Sequence, residues 1–129
     1  MAFPHQDLLI ESILACLTNG VITIDASDRI TLWNDAAQSI LRLDSSTALG
    51  QRYQDAFSSR PQLGFIGALH VARLQYAPGA LVRTSVAGII PERGQVNLNL
   101  CIRLLADTSQ AYSGMVIVID DRTDTGSRR

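Results

Sequence analysis

The chain has 129 residues, the size of one ordinary domain, and its 47% hydrophobic and 18% charged content suits a compact soluble globule with a single core. Eleven basic and twelve acidic residues leave a net charge of −1 without a basic patch, which argues against nucleic acid or an anionic membrane as partner. Cys16 and Cys101 fit no metal-ligand or C-x-x-C spacing and read as reduced thiols; no apolar run is long enough for a membrane span, and MAFPHQD lacks the start of a signal peptide, so the expected location is the cytoplasm.

From Gln6 to Thr18, Leu9, Ile10, Ile13, Leu14, Cys16 and Leu17 recur at helical spacing. At about 100° per residue this arc is roughly 160° wide, broader than one docking surface requires. Either the helix lies deep in its own domain, or it packs on its own sheet and on a second copy. Asn19-Gly20 is expected to end it with the glycine in a left-handed conformation. Two β-rich runs follow, Val21 to Asp25 and Arg29 to Trp33, around an Ala26-Ser27-Asp28 turn, and Asn34 is a natural cap for a helix over 34–43. Single helical turns are expected at 47–49 and 53–57. The run from Gln62 to Tyr76 is the next long helix, soft at Gly64 and Gly67 and stopped by Pro78-Gly79.

The last third predicts three strands. Leu81 to Ile90 is β-rich and ends at the turn Pro91-Glu92-Arg93-Gly94. Between Gln95 and Leu104, Val96, Leu98, Leu100, Ile102 and Leu104 alternate with Gln95, Asn97, Asn99, Cys101 and Arg103, so one face is core and the other wet. Gly114 to Asp120 is apolar on both faces, which places it in the middle of its sheet. The order is an α+β arrangement: a five-stranded antiparallel sheet with helices on one face. Its other face needs an apolar cover. The leading helix is expected there, with Leu9, Ile10, Ile13, Leu14 and Leu17 joining Val116 and Val118 in the interface of a homodimer.

These residues also resemble a known family. Glu11-Ser12-Ile13 leading into Gly20-Val21-Ile22, the Asp25 turn, Ile30 to Asn34, the LGQRYQDAF run from Leu49 to Phe57, and Ile119-Asp120-Asp121-Arg122-Thr123 follow the order and spacing of a PAS domain across nearly the whole chain. The resemblance implies a PAS core at 20–121, preceded by a dimerisation helix at 1–19 and followed by an exit linker at 122–129. It implies a sensory or dimerising module ahead of a C-terminal effector, such as a histidine kinase or an adenylate or other nucleotide cyclase. Asp121 and Thr123 match the D-I-T signature through which such domains hand a signal onward, with Arg122 in place of the usual apolar residue.

Two other functions compete with this one. A small apolar ligand could lie between sheet and long helix, lined by Ile22, Ile24, Leu32, Phe65, Leu69, Leu98 and Leu100. The few aromatics and many aliphatics favour a filled interior instead. His70 lies where some PAS domains ligate haem, yet it falls about 140° from the Phe65-Leu69-Ala72 arc, and an axial ligand must face an apolar pocket. No adduct-forming cysteine lies between Leu49 and Leu63, so no cofactor is expected. A stand-alone enzyme is the last alternative, without a nucleophilic triad, P-loop or zinc motif to support it.

Overall fold

The computed structural model describes residues 19–123. In chain order they form β1 (Gly20–Asp25), β2 (Ile30–Trp33), α1 (Asp35–Leu41), α2 (Ser45–Ala48), α3 (Tyr53–Ala56), a 3₁₀ turn (Pro61–Leu63), α4 (Phe65–Gln75), β3 (Leu81–Ile90), β4 (Gly94–Ala106) and β5 (Tyr112–Asp121). The five strands make one antiparallel sheet in the order β2-β1-β5-β4-β3. The doubly apolar last strand is central, as its composition requires. Leu9, Ile10, Ile13, Leu14 and Leu17 of the expected leading helix lie outside the described residues.

Strand alternation divides the sheet into two surfaces. Ile22, Ile117 and Ile102 stand in one row across β1, β5 and β4, and together with Ile24, Ile119, Leu98 and Leu100 they face the helices. Val21, Val118 and Cys101 make a row on the opposite face. The helical side is filled by Leu41, Phe57, Phe65 and Leu69, with ring centroids 5.9 Å apart for Trp33 and Phe57 and 4.9 Å for Phe57 and Phe65. These separations suit tilted aromatic packing.

The hairpin is tied to α1 through one buried side chain. Asn34 Oδ1 accepts hydrogen bonds from Ala37 N at 2.9 Å and from Val21 N at 2.8 Å, while its Nδ2 donates to Asn19 O at 3.1 Å. One amide therefore caps a helix and completes the start of β1. Gly20 has a different use from the expected one. It is not among the positive-φ glycines; a Cβ there would stand 3.1 Å from Ala37 Cα and 3.3 Å from Ile119 Cβ. Close approach of α1 to the sheet, rather than a left-handed turn, requires the missing side chain.

The long helix over 62–76 divides in two. Gly64 sits at φ +86, ending the 3₁₀ turn and restarting the chain as α4. Only glycine takes that angle without strain, so the softness noted at Gly64 is a break.

Replacing Asn34 with alanine removes the cap and leaves Val21 N without its acceptor. Unfolding in urea is expected to show a loss of about 2–4 kcal/mol, the cap contributing about 1 kcal/mol and the orphaned amide about 1–3 kcal/mol.

Candidate functional site

The end of β5 is fastened to β4 and to the β3–β4 turn. Arg122 N donates to Asn97 O at 2.8 Å, Asn97 N donates to Thr123 Oγ1 at 3.0 Å, and Thr123 N donates to Asp121 Oδ1 at 3.0 Å. The other carboxylate oxygen of Asp121 meets Arg93 Nη1 at 2.9 Å. That same nitrogen donates to Ile40 O at 3.0 Å, at the end of α1. Asp121 and Thr123 thus share one polar cluster, and Arg93 connects it to the helical layer. Arg122 points elsewhere, pairing with Asp120 at 2.8 Å on the surface. Composition gives no hint of Arg93, because its partner is 28 positions away in the chain (121 − 93).

On the outer face, Val116 lies opposite Thr23 and Arg103, and Val118 opposite Val21 and Cys101. Both valines are half-buried. Asn19, Arg83, Ser85, Asn99 and Asp120 border Cys101 and Val118 in an open groove, so this surface mixes apolar and polar character.

On the inner face, Ile22, Ile24, Phe65, Leu69, Leu98 and Leu100 are at most 2% exposed and belong to one packed cluster. Leu32 does not join them. A bulge pairs Thr23 with Leu32 but Ile24 with Ile30, leaving Thr31 as the extra residue. The shift turns Leu32 to the outer face beside Thr23, because one added residue reverses the alternation.

A second polar cluster lies at the other end of β5, around the hairpin turn between β1 and β2. Asp25 does cap the hairpin, its Oδ1 accepting from Ser27 N and Arg29 N at 2.9 Å each. Asp28, in contrast, sits at φ +70, is 14% exposed, and pairs with Arg73 of α4 while accepting from Gln54 Nε2 at 3.2 Å. The Arg73 guanidinium also covers the Tyr112 ring, 4.5 Å from its centroid. Burial pushes the Tyr112 hydroxyl up to about 12, against the opposing pull of Arg73. Tyr53 is raised as well, first by burial and then by the Asp28 charge. Residue order does not mark this cluster, because Asp28, Tyr53, Arg73 and Tyr112 lie far apart in the chain. His70 is exposed on α4, away from the core.

Burial raises the Asp121 carboxyl, but the Thr123 side-chain and backbone hydrogen bonds together with Arg93 outweigh it and hold the group below the ordinary carboxylate value. A lowered folded value contributes stability that is present above the unfolded value, about 3.9, and is lost as pH falls through the lower folded one. Asp121→Asn is therefore expected to cost on the order of 1 kcal/mol at neutral pH, and urea melts in acid should show that difference shrinking as pH falls below the unfolded value.

Solved structures share this fold. The PAS domain of an HTR-like protein from Haloarcula marismortui is 12% identical, with 92% of this chain and 93% of that one covered at a TM-score of 0.67. The PAS domain of BvgS from Bordetella pertussis is 16% identical, covering 94% and 89%, also at 0.67. A PAS domain from a two-component sensor histidine kinase is 7% identical, covering 92% and 98%, again at 0.67. At these identities the likeness speaks for the fold. No curated protein matches the sequence. Among the described residues no helix is long and apolar enough to cross a membrane. The family model described as the PAS fold matches residues 7–87, well over half of the sequence, and the chain belongs to that family.

Proposed function

We propose that the chain is a sensory and dimerising module that relays a signal through Asp121 and Thr123 to a C-terminal effector of the histidine-kinase or nucleotide-cyclase type. The observation that carries this reading is the clamp at the end of β5. Asp121, Thr123, Asn97 and Arg93 hold the exit of the central strand to both neighbouring layers, so a change in either layer reaches the segment that leaves the domain. A PAS domain is itself non-catalytic, and on this reading catalysis belongs to the effector. The sensor histidine kinase among its structural neighbours supports that class of output.

Dimerisation would use the outer face. Val116 and Val118 give the central strand an apolar outer row, and the leading helix, with Leu9, Ile10, Ile13, Leu14 and Leu17, carries a matching apolar arc. Burial of both against a second copy supplies the driving force. The module would work in the cytoplasm, with 1–19 as the dimerising helix and 122–129 as the linker.

One observation favours a second reading, a ligand-binding sensor. A cleft of about 450 Å³ runs between α4 and β3, beside the filled core rather than within it.

Sedimentation equilibrium tests the dimer. The wild-type chain is expected to sediment at twice its 14.0 kDa mass, and Val118→Asp to shift it to the monomer with an unchanged circular-dichroism spectrum. A monomeric wild type at high concentration would remove the dimer from the account.

A further inference from the structure

Helix α4 is held unequally along its two sides. Toward β1 and β5 its last turn is fixed by Arg73, which pairs with Asp28 of the hairpin turn and covers the Tyr112 ring at the start of β5. Toward β3 helix and strand touch, and an open cleft runs beside the contact, lined by Gly67, Ala68 and Val71 on one side and Val82, Thr84 and Val86 on the other. Thr84 lies opposite Leu100, in the inward register shared with Val82 and Val86, yet it is exposed. At its start the helix springs from Gly64 at φ +86, and no side-chain cap secures the first turn. The helix therefore has a pivot at one end, a polar fastening at the other, and open space beside it.

Polar atoms lie beneath the fastening. Among the described residues, the hydroxyls of Tyr53 and Tyr112 have no hydrogen-bonding partner, and neither has Oε1 of Gln54, whose amide nitrogen holds Asp28. A movement that opens this region to solvent gives such atoms water as a partner. Small side chains on the cleft side, Gly67 and Ala68, leave α4 room to approach β3.

We propose that α4 is a latched flap, with Arg73 as the latch and Gly64 as the pivot. Release of Arg73 from Asp28 and Tyr112 lets the helix swing toward β3, narrowing the cleft and opening the Tyr53 and Tyr112 hydroxyls to water. The two positions form a bistable element within the helical layer, and the ion pair sets their balance. The flap depends neither on the dimer nor on the clamp at Asp121, so its test can fail or succeed separately from theirs.

Hydrogen exchange of the α4 amides reads the latch directly. Arg73→Gln and Asp28→Asn are each expected to raise α4 exchange roughly tenfold, with little further rise in the double variant and no change in β1, β4 and β5. Unchanged α4 exchange, a rise shared equally by the strands, or additive effects in the double variant would each overturn the proposal. The direction of swing is read with Thr84→Cys in a chain whose Cys16 and Cys101 are replaced by serine. The thiol should label several-fold more slowly when Arg73→Gln is added, and faster or equal labelling would rule out movement toward β3.

Discussion

The pairing of β5 with β1 on one side and β4 on the other joins the hairpin at the start of the described chain to the strands at its end. Without those two ladders, neither the β1–β2 hairpin nor the β3–β4 pair would have a common core, since two strands alone are only marginally stable in water. The central place of β5 explains its composition. Met115, Ile117 and Ile119 face the helices, and Val116 and Val118 face the other way. It also gives the last strand of the sheet contact with every layer, and that strand leads directly into Asp121, Arg122 and Thr123.

Polar ties at the two ends of the sheet place the helical layer on this frame. At one end Asn34 fixes α1 to β1, and Gly20 lets the helix come close. Near the same end Arg93 links Ile40 at the close of α1 to Asp121. At the other end Arg73 fixes α4 to the hairpin turn and to the first residue of β5. Between these ties lies close-packed apolar material from Ile22 to Leu100. Interiors of that density transmit displacement rather than absorb it, as the proposed relay requires.

Much of this fold was legible in residue order because its signals are local. The alternation from Val96 to Leu104 and the doubly apolar run of β5 depend only on neighbouring positions, and the cap at Asn34 sits immediately before its helix. The readings that failed depend on what is not local. Leu32 was misassigned because the bulge at Thr31 reverses alternation after Ile30, and the bulge is specified by partner strands. Gly20 answers a contact with Ala37, not a turn, and Gly64 breaks a helix whose apolar spacing continues across it. Asp28 with Arg73, and Arg93 with Asp121, join positions far apart in the chain, and a single sequence carries no mark of which charge will meet which. The roles of the outer-face valines and of Asp121 and Thr123 stand one step further off, since they concern partners beyond this chain.

If the end of β5 passes its state onward as proposed, the output of an effector joined after residue 129 reads it directly. With a histidine-kinase core in that place, Asp121→Asn and Arg93→Gln should each change autophosphorylation several-fold. The double variant should match either single one, because both break the same contact. Output that is unchanged in all three, or additive effects in the double variant, would contradict the account.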